Sequence, residues 1–245
     1  MMLRKALTKK FKTICLLGSM VLAGSIQTAN AAEEDLYDFL WLDQDKQVYV
    51  LQNKVFKKKG RFFVNAGYIM GLTNEFQDTS GWQASVGYNF SEQLGLELMY
   101  NEYSNTDNAA VTNLRDINDT VPFQRKLASS YGLLLKWSPF YGKINTFNSI
   151  IYFDWSFGAG AGQLKSNSNA LTVDQTNQED TFKGEDYMAG FLKTSFEIHA
   201  TERITIGTTL LRTIYKAPGP TVDGVAGTDK WRGNSDFILS VGFSF

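Results

Sequence analysis

The chain has 245 residues, a formal net charge of −1, and 43% hydrophobic and 14% aromatic residues, with a mean hydropathy of −0.22. It contains no stretch of about 20 consecutive apolar residues, which excludes a bundle of membrane-spanning helices. Its 18 Phe, 11 Tyr, 5 Trp and 21 Gly against 4 Pro indicate instead an all-β chain that meets lipid.

Residues 1–31 are predicted to be a cleaved signal peptide. Five basic residues between Arg4 and Lys12 precede an apolar stretch at 14–26, and Ala-Asn-Ala at 29–31 is an A-x-A cleavage site. Cys15 lies inside this segment, so we expect the mature chain to have no disulfide and no reactive thiol. Loss of the basic leader leaves an acidic chain, which is a poor candidate for binding nucleic acid.

Residues 32–61 are predicted to form a short periplasmic N-terminal extension. Its main feature is a basic run at the entry to the first strand, formed by Lys57, Lys58, Lys59 and Arg61. Two interpretations are open. The run either holds anionic lipid head groups at the inner leaflet or forms a solvated linker.

From residue 62 onward the chain alternates between apolar and polar residues, which is the pattern of β-strands. In residues 82–90 one face presents Trp, Ala, Val, Tyr and Phe, and the other presents Gln, Ser, Gly and Asn. Strands of this length can cross a bilayer when they are tilted. The eight predicted strands are 62–72, 82–90, 94–103, 128–137, 149–162, 187–198, 204–214 and 236–245.

The connections between these strands alternate in length. Residues 91–93 and 199–203 are short connections, whereas 104–127, 163–186 and 215–235 are long and polar. The exception is that 74–81 is shorter than 138–148, which contains Pro139 and Gly142. Short periplasmic turns and long extracellular loops are typical of outer-membrane barrels. The sequence therefore predicts that residues 62–245 form an eight-stranded antiparallel transmembrane β-barrel in the bacterial outer membrane, rather than a soluble sandwich.

Large aromatic residues are expected to face the lipid in two bands, one near each end of the barrel. The band near the loops is predicted from Trp82, Tyr100, Tyr131 and Phe157. The band near the turns is predicted from Phe62, Phe90, Trp137, Phe196, Phe243 and Phe245.

The lumen of an eight-stranded barrel is only wide enough for its own side chains. Five ionisable residues fall on the predicted inward face, namely Glu97, Lys136, Asp154, Lys193 and Glu197. Because buried charges need partners, we predict that Asp154 pairs with Lys193 and that Lys136 lies between Glu97 and Glu197. This network either plugs the lumen or lines a path for protons or small ions.

Candidate catalytic and metal-binding residues are few. His199 is the single histidine and falls in a predicted periplasmic turn, where we expect it to be solvated. The third outer loop carries carboxylates that either hold Ca²⁺ loosely or form a solvated acidic loop: Asp174, Glu179, Asp180, Glu185 and Asp186. No recognised catalytic motif is present, so we expect no enzyme activity, no cofactor and no metal site.

Three stretches resemble known outer-membrane proteins. Residues 240–245, Ser-Val-Gly-Phe-Ser-Phe, look like the signal that the barrel assembly machinery reads, with Phe237, Leu239, Val241, Phe243 and Phe245 on one face. Residues 48–62 resemble the opening of an outer-membrane β-barrel domain family of delta-proteobacterial type, and residues 88–98 resemble the strand–turn–strand of small OmpA/OmpX-type barrels. The resemblance covers roughly residues 47–245 and implies location and architecture, without catalytic residues.

The sequence thus predicts a structural or surface-recognition role carried by the extracellular loops. The expected partners are outer-membrane lipids, the barrel assembly machinery during biogenesis, and an unidentified surface ligand. Two alternatives remain. One is a narrow porin for small solutes, and the other is a lipid-modifying barrel enzyme, which would need His199 or loop carboxylates at the outer rim.

Overall fold

The computed structural model describes residues 54–73, 76–118, 122–146, 149–171, 181–221, 225 and 227–245. Lys54–Phe245 forms one compact unit. The predicted signal peptide, 1–31, and most of the predicted extension, 32–53, lie outside the described residues. Within those ranges the structure has no helix that is both long and apolar enough to cross a membrane.

Eight antiparallel strands form a closed barrel in which each strand pairs with its neighbours along the chain. The ring closes between the first and last strands, where Phe63 pairs with Ser244 and Gly71 with Asp236. The predicted eight-stranded antiparallel barrel is therefore confirmed. The strands are β1 Phe62–Gly71, β2 Gln77–Asn89, β3 Leu94–Asp107, β4 Arg125–Thr146, β5 Ser149–Ser168, β6 Lys183–His199, β7 Ile204–Ala217 and β8 Lys230–Ser244.

The two ends of the barrel differ in their connections. At one end, here called the turn end, the connections are residues 90–93, 147–148 and 200–203. At the other end, here called the loop end, they are residues 72–76, 108–124, 169–182 and 218–229. Every connection at the turn end is therefore shorter than every connection at the loop end. The predicted exception, a connection at 138–148 that is longer than the one at 74–81, is not found.

That exception, residues 138–148, was predicted wrongly as a connection. β4 continues to Thr146 and pairs with β5 as far as Ser149. Pro139 has no N–H for the ladder, and the structure accommodates it with a register shift between Trp137 and Phe140. Since Leu94 pairs with Trp137, the part of β4 beyond Trp137 extends past β3 and pairs with β5, while β5 itself pairs with β6 as far as Tyr152.

The outward face changes from apolar to polar partway along the strands. In β3 the outward residues Leu94, Leu96, Leu98 and Tyr100 are followed by Glu102. The Tyr100 hydroxyl donates a hydrogen bond to Glu102, at 3.1 Å. This boundary lies near the middle of β3 rather than at its end, because β3 continues to Asp107. In that second half the outward residues are polar, so the sequence there does not alternate between apolar and polar residues.

The two aromatic bands follow this boundary, with one correction. The Trp82 and Tyr100 ring centroids are 5.4 Å apart at the boundary. Phe157, which was predicted for the band near the loops, instead lies 6.2 Å from Trp137 and 5.6 Å from Trp155 in the turn-side band. The longer β4 and β5 place Phe157 nearer the turn end than its predicted strand implied.

The inward face carries an apolar cluster that the sequence analysis did not predict. The cluster includes Ile69, Met99, Leu134, Phe191, Leu211 and Ile238, which are all at most 1% exposed. A small residue makes room for the largest of them, because a Cβ on Gly132 would lie 2.7 Å from Phe191 Cε2. The barrel interior is therefore packed with apolar side chains as well as polar ones.

The β3–β4 connection contains a helix, α1, at Ala109–Asn118. Asn108 precedes it and caps it, since its side-chain oxygen accepts a hydrogen bond from the Ala110 N–H at 3.0 Å. Val111 is 1% exposed and anchors the helix. This segment was predicted to be a loop, because the Asn- and Thr-rich stretch shows no strong helical period.

Candidate functional site

Two ion pairs lie across the lumen. Lys193 Nζ is 2.6 Å from Glu97 Oε1, and the two side chains are 6% and 1% exposed. Lys136 Nζ is 2.8 Å from Glu197 Oε1, and its ammonium also lies 4.8 Å from the centre of the Phe63 ring. Lys136 thus binds Glu197 as expected, but Glu97 is held by Lys193.

The expected pairing of Asp154 with Lys193 does not occur. The register of β5 and β6 pairs Asp154 with Glu197 and Gly158 with Lys193, so the carboxylate and the ammonium belong to different levels of the barrel. Asp154, which is fully buried, instead lies 2.9 Å from Lys58 Nζ and 2.6 Å from His199 Nε2.

His199 is correspondingly buried rather than solvated. Its side chain is 7% exposed at the end of β6, where Asp154 holds one ring nitrogen. Phe56 stacks on the face of the imidazole ring, with the ring centroids 4.6 Å apart and the ring planes 5° from parallel. The prediction of a solvated turn histidine was wrong because the contacts come from residues more than 40 positions away in the sequence.

Residues 54–60, here called the cap segment, close the turn end of the lumen. Phe56 also contacts Tyr152, with 5.2 Å between ring centroids, and Lys54 Nζ lies 4.9 Å from the centre of the Tyr141 ring. The Gly60 N–H donates a hydrogen bond to the Asn89 carbonyl at 2.8 Å. The part of the predicted extension that the structure describes is thus packed against the barrel.

Glu92, in the β2–β3 turn, fastens the cap segment from outside. Its carboxylate accepts hydrogen bonds from the N–H groups of Lys58 and Lys59 at 3.1–3.2 Å and lies 3.1 Å from Lys54 Nζ. Partial burial raises the pKa of Glu92, but these N–H groups and the Lys54 ammonium outweigh that effect and hold the pKa below its ordinary value. The cap segment therefore binds the ionised carboxylate.

The basic run does not act as a unit. Lys57 and Lys59 are exposed, and Arg61 Nη1 donates a hydrogen bond to the Glu202 carbonyl at 3.3 Å. Lys58 instead enters the lumen, where burial lowers its pKa and the Asp154 carboxylate opposes that shift. Lys58 is thus unavailable to lipid head groups, since its side chain is only 12% exposed.

Neutral polar side chains fill the lumen between the ion pairs and the loop end. Gln83 Nε2 donates to Asn101 Oδ1 at 2.8 Å, and Asn101 Nδ2 donates to Ser130 Oγ at 3.0 Å. Asn101 and Ser130 are fully buried. This chain of hydrogen bonds runs along the inner wall across the adjacent strands β2, β3 and β4.

A cavity of about 690 Å³ opens at the loop end of the barrel. We call it the vestibule, and its lining includes Gln77, Phe123, Arg125, Tyr215, Trp231 and Arg232. Trp231 and Arg232, predicted to lie in an outer loop, lie in β8. Arg125 was not predicted as a site residue, because the first residues of β4 look like part of a polar loop.

The acidic residues of the third outer loop separate in the structure. Asp174, Glu179 and Asp180 lie outside the described residues. Glu185 lies in β6, where it binds the Arg125 Nε at 3.1 Å, and Asp186 is exposed. Among the residues that the structure describes, no group of three or more His, Cys, Asp or Glu side chains could hold a metal ion.

The residues expected to form the assembly signal share the outward face of the last strand and its end. Leu239, Val241, Phe243 and Phe245 are exposed by 40–61% and alternate with inward residues such as Ile238. Phe237 is partly exposed on the same face. Recognition of this face by the assembly machinery remains a prediction.

Comparisons with known proteins yield structural matches alone. No family model matches the chain, and no curated protein matches it. One similar solved structure is the N-terminal β-barrel domain of OprF from Pseudomonas aeruginosa, with 14% identity, 76% of this chain and 98% of that chain covered, and a TM-score of 0.46. A second is Neisserial surface protein A, with 13% identity, 76% and 98% coverage, and a TM-score of 0.44.

A third match is the outer membrane protein OprG from Pseudomonas aeruginosa. It has 14% identity, 77% of this chain and 97% of that chain covered, and a TM-score of 0.39. At identities of 13–14% and TM-scores of 0.39–0.46, these three matches assign neither a family nor an activity to the chain.

Proposed function

We propose that this protein is an integral protein of the bacterial outer membrane, with a sealed lumen, that acts through surface recognition at its loop end. The observation that carries the membrane assignment is the apolar outward belt. A soluble barrel exposes polar side chains outward, whereas this wall exposes Leu96, Leu98, Leu133 and Leu135 by 37–55%. Such an inverted barrel is stable only when lipid surrounds it.

The height of the belt supports the same proposal. Outward residues run from Trp82 in β2, near the boundary, to Phe90, which directly follows β2 at the turn end. These positions span about 27 Å along a strand, which a tilt of about 40° reduces to about 20 Å across a membrane. Beyond the boundary, the polar outward residues Asp78 and Glu102 suit water or head groups.

The packing of the lumen favours a sealed barrel over a narrow porin. The Lys193–Glu97 pair, at most 6% exposed, lies on the turn side of the fully buried Asn101. The cap segment covers the turn end with Phe56 against His199. The charges of Lys193, Lys136 and Lys58 are each paired with a carboxylate at 2.6–2.9 Å, which disfavours their use as stations for a conducted ion.

The lipid-modifying enzyme is favoured less because its base would have to lie at the outer rim. His199 lies at the turn end, between Asp154 and Phe56. The loop carboxylate Glu185 is occupied by Arg125 and by the Ser168 hydroxyl, at 3.1 and 2.8 Å. Neither group is placed to activate a nucleophile at the loop end.

Two measurements test the proposal. The refolded protein should migrate faster on a detergent gel before boiling than after it, and it should need detergent to stay in solution. In planar bilayers it should show no conductance, and Lys136→Ala should leave the bilayer equally silent. Steady conductance that Lys136→Ala or Asp154→Ala changes would establish the narrow porin instead, and solubility without detergent would refute the membrane location.

A further inference from the structure

We propose that the vestibule binds a small sugar-like anion, with its oxyanion held by Arg232 and Arg125 and its hydroxyl groups held by neighbouring glutamines. This inference rests on the proposed orientation, in which the loop end faces the exterior. The ligand class is a compact polyhydroxylated molecule that carries a phosphate, sulfate or carboxylate.

The Arg125 guanidinium group is only partly hydrogen-bonded. Its Nε binds Glu185 at 3.1 Å, and its Nη2 donates to the Pro218 carbonyl at 3.1 Å. Its Nη1 is buried without a hydrogen-bond partner, and the residue as a whole is 9% exposed. Buried guanidinium N–H groups are normally paired, so an unpaired one beside a cavity indicates a missing acceptor.

Arg232 brings a second guanidinium group to the same cavity. Its Nε is buried and has no hydrogen-bond partner, and no carboxylate of the described residues forms an ion pair with it. The guanidinium carbons of Arg232 and Arg125 lie 5.5 and 5.3 Å from the centre of the Phe123 ring. Both guanidinium groups therefore contact the same aromatic ring in the cavity lining, and arginine binds oxyanions through paired N–H groups.

The neighbouring carboxylates are already engaged. Glu185 binds Arg125, the Ser168 hydroxyl and the Tyr187 hydroxyl, the last at 2.7 Å. Asp236, also at this end of the lumen, accepts a hydrogen bond from the Tyr103 hydroxyl at 3.0 Å. Neither of these two carboxylates is bound to Arg232.

The rest of the lining suits the body of a sugar. Gln124 and Gln77 line the cavity, and both polar side-chain atoms of Gln124 and the Oε1 of Gln77 are buried without hydrogen-bond partners, so a ligand hydroxyl group that reaches them meets one donor and two acceptors. Tyr215, which is 3% exposed, adds an aromatic side chain to the lining. The volume of about 690 Å³ lies within the range of small-molecule sites.

Isothermal titration of the full chain in detergent micelles tests this site, with glucose 6-phosphate, inorganic phosphate and glucose as probes. A lipopolysaccharide head group offers the same chemistry from the membrane, so lipopolysaccharide with and without its phosphates forms a further arm. Arg232→Gln removes the unpaired cation. Arg212→Gln is the matched control, because Arg212 is exposed on the outside of β7 and bonds Ser235 at 2.7 Å.

We expect glucose 6-phosphate to bind more tightly than phosphate or glucose, and Arg232→Gln to weaken it by about tenfold or more. Arg212→Gln should bind like the natural protein. Binding of phosphorylated lipopolysaccharide alone, lost in Arg232→Gln, would support the oxyanion site with a membrane ligand. Absence of binding by any phosphorylated probe, or equal loss in both variants, would overturn the inference. Conductance does not enter this test, so it can succeed or fail independently of the sealed lumen.

Discussion

The ammonium of Lys58 lies 2.9 Å from Asp154 Oδ1, so a residue that precedes the first strand neutralises a fully buried carboxylate of β5. This ion pair joins the cap segment to the interior of the barrel. Phe56 packs beside it on His199, which binds the second oxygen of the same carboxylate. The closure of the turn end therefore depends on a charge as well as on ring stacking.

Lys58→Met should release the cap segment. Removal of one member of a buried ion pair commonly destabilises by about 3–5 kcal/mol, because the other charge stays buried. We expect trypsin to cut after Lys54 much faster in this variant, while the heat-modifiable barrel persists. Lys57→Met is the control, since Lys57 is exposed in the same segment. Equal cutting rates in the two variants would contradict the role of Lys58.

Glu92 should make the cap segment sensitive to acid. Its folded-state pKa lies below the ordinary value of 4.5, so its contribution is fully present above about pH 4.5 and is lost as the pH falls through the lowered value. Because the carboxylate is about a third exposed, the contribution is modest, about 1 kcal/mol or less.

Hydrogen exchange measures this effect at the amides of Lys58 and Lys59, which donate hydrogen bonds to the Glu92 carboxylate. Protection of these amides should fall between pH 5 and about pH 3 in the natural protein. In Glu92→Ala it should be low throughout, whereas Glu202→Ala, in another turn, should behave like the natural protein. A pH-independent protection in the natural protein would disprove the clamp.

Substitutions of Lys193 and Glu97 should have strongly non-additive effects on the free energy of unfolding. Lys193→Met alone or Glu97→Gln alone should lower the free energy of unfolding by about 3 kcal/mol or more, since each leaves a lone buried charge. The double variant should recover most of that loss, because it leaves no charge. Urea unfolding in lipid vesicles gives the three values, and additive effects would show that the two groups do not interact.

The outward belt predicts a position-dependent response to charge. Leu98→Arg lies within the belt and should destabilise the barrel in vesicles by about 2–4 kcal/mol, whereas Ser104→Arg lies beyond the boundary and should change stability by about 1 kcal/mol or less. Both positions face outward on β3. Similar effects of the two substitutions would place the membrane elsewhere on the wall.

Much of the barrel wall could be predicted from alternation alone. Leu94, Leu96 and Leu98 face outward and Glu97 faces inward, as their period-two pattern indicates. The ends of the strands were more difficult to predict, because the outward residues Asp78 and Glu102 are polar where the strands extend beyond the apolar belt. The extension of β4 beyond Trp137 was not predicted for another reason, since Pro139 is typical of a turn and the structure accommodates it in a register shift.

The sequence by itself determined which side chains of the predicted strands face the lumen, because successive residues of a strand point to opposite faces. The tertiary structure alone decided which of them meet. Lys193 binds Glu97 rather than Asp154 because the stagger of neighbouring strands sets the height of each residue around the closed ring. Lys58 and Asp154 are almost a hundred positions apart, and no local pattern connects a residue before β1 with the interior of β5. Likewise, Arg125 and Arg232 share the vestibule because the barrel brings the ends of β4 and β8 to one opening.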